Sequence, residues 1–498
     1  MRERFKAEPA EVVCKYLFRP AILDDNCRSF KNMSDINLAH ALMLAKEKII
    51  PQEDAKKLLQ GLLRLEEKGP DALTLNPKLE DYYFNIEQNL IADIGMDIAG
   101  RLHTGRSRND LQSTLVRMNI RDEVARLIPL VFDLRKKIIR LADENRETTV
   151  TGYTHMQPAQ PISLGYYFCA IAEAIERDYE RIFDAFNRMN YSTLGGGAFA
   201  GTSFPIDREF TAIKLGFNGP VYNALDGVAS RDYVLELTGV FAILGATISR
   251  FASDLYTWTT DEFGYVEVDD SVAACSSIMP QKKNPITLEH IKAKTAHLLS
   301  AFVSVFGTLK SASFGHSREI SESFTMFWES ARQLEIILEL LNATLETLKV
   351  KKEGMEDKAR KNFCVVTEIA DELVKTENIP FRVAHKIVGN LVRKCIDAGI
   401  NSSGITAKLV NEATKEVTGK ETTWSEEHTA EVLSPSRSIH EKLSLGGPSP
   451  KECDIMTKRL LSVLDRDFIE FQKRTNQFAN ERKKLHEEAR AAVNAASY

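Results

Sequence analysis

The sequence predicts an all-α chain built as three helical domains with a central bundle of long helices. Two observations carry that expectation: apolar residues recur at helical spacing over stretches longer than an average helix, and few stretches alternate as half-buried strands do. Size is a third, because 498 residues, 43% of them hydrophobic, exceed what one ordinary core organises.

Residues 1–108 hold short helical pieces, at 38–50 and 55–65, punctuated by Pro51, Gly69, Pro70 and Pro77. They predict a small N-terminal helical domain. At 109 the texture changes: Leu111, Leu115, Met118, Val124, Ile128, Val131, Leu134 and Ile138 form one apolar stripe, with Pro129 as a candidate kink. Comparable stripes occupy 162–189, 230–263, 286–309 and 320–348, and five such helices predict a central bundle over 109–352. Beyond it the helices shorten, a Gly/Ser-rich break falls at 399–404, and SLGGPSP at 444–450 precedes a charged final helix. Residues 353–498 therefore read as a C-terminal helical domain.

A formal net charge of -5 with no sustained basic run argues against nucleic acid or a membrane surface as partner. An anionic ligand would have to be a small molecule held by a local cluster. The N-terminus lacks the apolar run of a secretory signal, and the apolar stretch at 240–248 is too short to span a bilayer, so it reads as a core helix. Seven cysteines, odd in number and without CxxC or Cys/His metal spacing, suit a reducing cytoplasm. No GxxxxGK[ST], HExxH or GxSxG string occurs, and LGGGAFAG at 194–201 follows a helix and lacks dinucleotide-binding spacing, so it reads as a turn.

Three polar segments remain. SSIMPQKKNP at 276–285 reads as a loop feeding a helix, with Asn284 as N-cap and Pro285 in the first turn. Free N–H groups, the positive end of the helix dipole and the charges of Lys282 and Lys283 favour a carboxylate or phosphate there. HTGRSRND at 103–110 opens the first long helix and puts Ser107, Arg108 and Asn109 at its N-terminus, while TGYTHMQPAQP at 151–161 places Thr154 and His155 before another. Singly, each reads more readily as a solvated helix start than as a site. Three such loops on three long helices are expected to meet at a bundle end and build an anion site from separate segments.

These segments resemble the three signature regions of the fumarase/aspartase superfamily, most closely argininosuccinate lyase. SSIMPQKKNP is similar to that superfamily's GSSxMPxKxNP loop, GYTHMQPAQP to GYTHLQxAQP, and HTGRSRND is the string argininosuccinate lyases carry. Likeness extends through GAFAGTSFPIDRE at 197–209, SRDYVLE at 230–236 and IPFRVAHKIVG at 379–389. The resemblance implies an all-α protomer in a homotetramer with sites shared between protomers, a dicarboxylate substrate, and no metal or organic cofactor. It implies elimination of an amine from an N-substituted aspartate, leaving fumarate. On that resemblance Ser276 is the general base, Lys282 and Asn284 hold the charged carboxylate, and His155 with Glu289 forms an oriented imidazole pair. Ser107, Arg108, Asn109, Thr154 and Ser277 bind the succinyl half. Serine is a poor base unless its alkoxide is stabilised, so a cationic, amide-rich loop is a physical requirement of that role.

Departures from the family pattern cluster on one half of the site. WGGRF near the N-terminus is absent, EDIH appears as Glu80, Asp81, Tyr82 and Tyr83, and the glycine before the paired serine is Cys275. The family's YNKDxQEDK aligns with residues 316–324, so that its tyrosine, glutamine and lysine become His316, Ser321 and Phe324. The fumarate half is kept and the amine half altered. Argininosuccinate is the nearest family substrate. An ethylenediamine-disuccinate-type aminopolycarboxylate is the alternative, with His316 and Arg318 as partners for an anionic amine. A non-catalytic, crystallin-like relative is a different class of reading, opposed by the presence of Ser276, Lys282, Asn284, His155 and Glu289.

Overall fold

The computed structural model describes residues 4–494. The first helices are α1 (Arg19–Lys46), α2 (Gln52–Lys68) and α3 (Tyr82–Ile94). Leu38, Leu42, Leu58, Leu62, Ile86 and Leu90 bury their apolar faces in one cluster, which Leu111 and Leu115 join from the next helix. That next helix, α4 (Arg108–Glu144), runs 37 residues, so its ends lie about 55 Å apart. Pro129 lies inside α4 without ending it. Burial of Leu127, Ile128, Val131 and Phe132 around it outweighs the roughly 3 kcal/mol an interior proline costs.

Between α4 and α5 (Leu164–Met189) the chain forms an antiparallel hairpin, β1 (Thr149–Thr154) against β2 (Gln157–Ser163), with Thr154 facing Gln157. The segment at 151–161 is therefore not a loop feeding a helix, as the sequence suggested. Thr149, Val150, Thr151 and Tyr153 favour a pleated strand, and the helix waits for its true N-cap, Ser163, whose Oγ accepts from the Tyr166 N–H at 3.2 Å. His155 and Met156 make the two-residue turn with φ of 55° and 59°, a left-handed pair usual for glycine or asparagine. Gly165 fixes the start of α5 against α4, because a Cβ there would stand 2.5 Å from the Ala142 carbonyl oxygen.

The bundle continues with α6 (Asp232–Trp258), α7 (Ile286–Leu309) and α8 (Arg318–Glu346). Small ladders brace one end: β3 (Val266–Glu267) pairs with β6 (Lys349–Val350), and β4 (Ala274–Cys275) with β5 (Lys283–Asn284). Polar bonds fix which ends meet. At the start of α4, Ser113 Oγ donates to the Gly227 carbonyl at 3.2 Å and Arg117 donates to Ser230 Oγ at 3.0 Å, so α6 begins beside it. At the other end Thr344 Oγ1 donates to Thr287 Oγ1 at 2.8 Å, joining the end of α8 to the start of α7. Arg140, near the end of α4, donates to the Leu345 carbonyl. The five long helices thus run up and down, and we call the two ends proximal (start of α4) and distal.

The apolar stretch around residue 244 is longer than the sequence reading allowed. It belongs to the 27-residue α6, which by length and composition alone could cross a bilayer, yet half of its most apolar window is buried against the bundle. Phe241, Leu244, Ile248, Phe251 and Leu255 supply that buried half.

Helices α9 (Val366–Glu377), α10 (Phe381–Asp397) and α11 (Ala407–Thr418) share a separate cluster around Ile369, Leu373, Ile387, Leu391 and Val410. The final helix, α12 (Pro450–Asn494), then returns along the bundle. Arg146 meets Asp454 at 2.9 Å and Arg135, itself buried, meets Asp467 at 2.8 Å. Farther on, Arg482 and His486 close on Asp35 of α1.

Candidate active site

The residues singled out in the sequence divide between the two ends of the bundle. At the distal end the β4–β5 ladder pinches the loop 276–282, setting Ala274 opposite Asn284. Ser276 Oγ accepts from the Met279 N–H at 3.1 Å and so shapes the turn that carries it. Ser277 and Lys282 are exposed. Among the described residues no acid pairs with Lys282, whereas Lys283 is committed to Glu267 at 3.0 Å and Asp270 at 2.6 Å. Of the two lysines, Lys282 is the one free to meet a substrate.

Asn284 is not the N-cap expected from the sequence. Pro285 holds that position without a side-chain cap, and Asn284 lies extended in β5, its Nδ2 donating to the Cys275 carbonyl at 3.5 Å. The cause is local: a residue preceding proline is pushed out of the helical region. The consequence favours anion binding, because the first N–H groups of α7 remain uncapped beside Ser276 and Lys282.

Thr154 and His155 are exposed at the hairpin tip, also distal. His155 makes no hydrogen bond among the described residues, and Glu289 accepts instead from Tyr256 OH at 3.3 Å. The expected His155–Glu289 pair is therefore not formed within one chain.

The proximal group surrounds the start of α4. Ser107 caps the helix: its Oγ accepts from the Asn109 N–H at 3.3 Å, while its own N–H donates to Asp110 Oδ1 at 2.8 Å. Arg108 donates to Asp81 at 2.7 Å, its guanidinium lying 4.3 Å from the centre of the Phe84 ring. Asn109 Nδ2 donates to the Ala198 carbonyl at 3.1 Å, tying the helix start to the glycine-rich turn. Asp110, fully buried, locks that turn by accepting from the Gly195 and Gly197 N–H groups at 2.7 and 3.0 Å. Burial pushes its carboxyl up to about 6, against the pull of those N–H bonds. Gly197 cannot be replaced without strain, since its φ is +63° and a Cβ would stand 2.5 Å from the Gly201 carbonyl oxygen.

His316 and Arg318 belong to the same end. Burial, then the charges of Arg231, Arg318 and Arg108, push the His316 imidazole down to about 4, so it is neutral at physiological pH. The guanidinium of Arg231 lies 5.3 Å from the centre of the Phe324 ring. Arg318 is exposed, and Ser321 is half-buried.

Sequence reasoning passed over Asp110, Asp81 and Arg231. Asp110 had a legible signal, the capping-box spacing from Ser107. Asp81 and Arg231 sit in strings that resemble the family's, but no local spacing gave them a role, because their partners lie 27 and 118 residues away in the chain. The larger correction concerns assembly: the three polar segments do not meet at one bundle end. Ser276, Lys282, Asn284, Glu289, Thr154 and His155 are distal, whereas Ser107, Arg108, Asn109, His316 and Arg318 are proximal, a helix of about 55 Å away.

One outward face links the two ends. Leu299, Val303 and Phe306 of α7 are 57%, 58% and 51% exposed, and between Lys294 and Lys310 only His297 can carry charge. Ile243 of α6 is exposed too.

The chain is similar to known proteins along most of its length. A family described as lyase matches residues 22–299, and one described as argininosuccinate lyase C-terminal matches residues 363–440. The chain is 43% identical to argininosuccinate lyase 1 of Shouchella clausii over 465 residues, covering 93% of each. It is 37% identical to argininosuccinate lyase of Methanocaldococcus jannaschii, covering 86% of this chain and 87% of that one. Among solved structures, an EDDS lyase in complex with formate superposes with a TM-score of 0.87 at 31% identity, covering 98% of this chain and 97% of the other. A class II fumarase from Schistosoma mansoni, 15% identical with a TM-score of 0.66 over 86% of this chain and 92% of the other, shares the fold.

Proposed function

This chain belongs to the argininosuccinate lyase family of carbon–nitrogen lyases, and from that premise we propose that it splits an N-substituted L-aspartate into fumarate and an amine. Argininosuccinate, giving arginine and fumarate, is the nearest substrate. The observation that carries the reading is the start of α7, where uncapped N–H groups, a Lys282 with no acid partner among the described residues and the Ser276 hydroxyl share one loop.

The chemistry follows from charge. Ser276 takes the proton from the carbon beside a substrate carboxylate, and the electron pair moves onto that carboxylate to give a dianion. Lys282, Asn284 and the α7 N-terminus stabilise it, which is where the largest share of such a barrier is met. The dianion then collapses to the double bond of fumarate, the C–N bond breaks, and the departing nitrogen takes a proton. Ser107, Arg108, Asn109, Thr154 and Ser277 hold the succinyl carboxylates. His155, oriented by Glu289, serves the leaving nitrogen or positions the substrate.

Because the matched residues occupy opposite ends of one chain, we place the site between copies in a homotetramer. The uncharged face of α7 supports this, since antiparallel contact there would bring the proximal end of one copy to the distal end of another. Residues 109–352 would form the tetramer core, flanked by 1–108 and 353–498. Seven free cysteines support work in a reducing cytoplasm.

A second reading keeps the elimination and changes the amine, because His316, Ser321 and Phe324 replace the family's tyrosine, glutamine and lysine. One experiment addresses both. Fumarate absorbance would be followed with argininosuccinate, adenylosuccinate, aspartate, malate and ethylenediamine disuccinate, without added metal. Release from one N-substituted aspartate is expected. No turnover of any, by correctly assembled protein, would favour the non-catalytic relative.

A further inference from the structure

Glu289 takes a partner that a solvated helix face would not give it. It stands in the first turn of α7, exposed, three residues before Lys292. A carboxylate and an ammonium at that spacing ordinarily pair across the helix surface. Here they do not: Lys292 makes no ion pair among the described residues, and its Nζ lies instead 4.3 Å from the centre of the Tyr256 ring. Tyr256, on the neighbouring α6, donates its phenol to Glu289 Oε1 at 3.3 Å, the one hydrogen bond to that carboxylate among the described residues.

The donor is better fixed than the acceptor. The half-buried Tyr256 ring packs against the central core cluster, so its hydroxyl is carried by a side chain that packing already holds. Glu289 has three rotatable bonds and solvent around it, and tying down one oxygen removes in advance the freedom a loose carboxylate would lose on meeting a partner. The Lys292 ammonium is drawn to the ring, and its charge makes the phenol a stronger donor. At 3.3 Å the bond is long for O–H···O, and Oε2 accepts nothing among the described residues, so the carboxylate is held on one side and open on the other. His155 supplies the complement. It is exposed at the same distal end and makes no hydrogen bond among the described residues. Since the two do not pair within one chain, the open oxygen is placed for the imidazole of a neighbouring copy.

We propose that Tyr256 is a positioning residue for the elimination: it fixes Glu289 so that Oε2 meets His155 across a subunit contact and decides which ring nitrogen carries the proton. Glu289 then stabilises the imidazolium whenever His155 holds a second proton. Tyr256 touches neither the substrate nor the reacting atoms, and it acts through the carboxylate alone. The proposal rests on the C–N lyase reading above.

Tyr256→Phe removes the hydroxyl and keeps the packed ring, so the tetramer should persist. With the substrate that wild type turns over best, kcat is expected to fall about 10-fold, the scale of one hydrogen bond to a charged group. KM should stay nearly unchanged, because the groups assigned to the substrate carboxylates are intact. Glu289→Gln should lower kcat as well, and in that background Tyr256→Phe should cost little more, since the phenol has lost the carboxylate through which it acts. Crystal structures of the assembled wild type and of Tyr256→Phe give a readout that needs no turnover: Glu289 is expected to be ordered toward His155 in the first and spread over several rotamers in the second. Unchanged kcat in Tyr256→Phe, or an equal loss with and without the Glu289 carboxylate, would overturn the positioning role and leave the lyase reading standing. Absence of fumarate release from every substrate would strike the lyase reading instead. The crystal structures would still decide the proposal, because a Glu289 that keeps one place without the phenol overturns it.

Discussion

Val303→Asp should dissociate the protein into inactive copies that remain folded. The side chain is 58% exposed in the single chain, so the substitution disturbs little within it. Fully burying a valine, leucine or phenylalanine is worth about 1.5–3 kcal/mol, so the exposed halves of Leu299, Val303 and Phe306 together return about 3 kcal/mol per protomer when covered. An aspartate at 303 forfeits the valine's share and places a carboxylate in an apolar contact, a penalty of several kcal/mol per copy. Even a net loss of about 4 kcal/mol weakens association roughly a thousandfold, which converts a sub-micromolar assembly into one that falls apart in dilute solution. Sedimentation at micromolar concentration, circular dichroism and turnover on the same sample check it. A tetramer with unchanged turnover would refute the assignment of this face to subunit contact, and a wild-type monomer with full activity would refute the shared site altogether.

Three further outcomes are expected. Ser276→Ala should fold, assemble and bind substrate while turnover falls roughly 10²-fold or more, the scale of losing a positioned base; near-normal turnover would make Ser276 a loop residue only. His316 titrates at about 4 in the folded chain and near 6.5 when unfolded, so the unfolded chain takes the proton first and stability is lost as pH falls through that window. His316→Gln should accordingly show a shallower acid destabilisation than wild type in denaturant titrations between those values, and an unchanged slope would mean that His316 is not held neutral. Met156→Gly, which relieves a left-handed residue in the hairpin turn, should raise stability by about 1 kcal/mol in the same titrations, and a loss of stability would contradict a strained turn.

Helix content and register were legible because α4, α6, α7 and α8 carry uninterrupted apolar periodicity; the boundaries of α7 fall at Ile286 and Leu309, as its stripe indicated. The hairpin at Thr149–Ser163 was not read, since its two prolines and lone histidine mimic a helix-entry loop, and only pairing between Val150 and Ile162 reveals the strands. Asn284 misled for a related reason: the same Asn-Pro pair satisfies the rule for an N-cap and the rule that a residue before proline is extended, and the second won. For the site, residue types were readable and their distribution was not. Ser107 and Ser276 both precede long helices, but whether those helices start at the same end depends on the number of antiparallel turns between them, a property of topology that no local spacing encodes. Arg231 stayed hidden likewise, being defined by Ser113 and Phe324, far away along the chain.

Complementation between two inactive variants tests the shared site most directly. Arg108→Ala disables the proximal end and Ser276→Ala the distal end, and each alone should be nearly inactive as a tetramer. If every site takes its proximal group from one copy and its distal group from others, then dissociating and reassembling the two variants in equal amounts should restore about one quarter of wild-type activity, the statistical share of sites receiving both intact groups. Mixed tetramers that remain as inactive as their parents would contradict it.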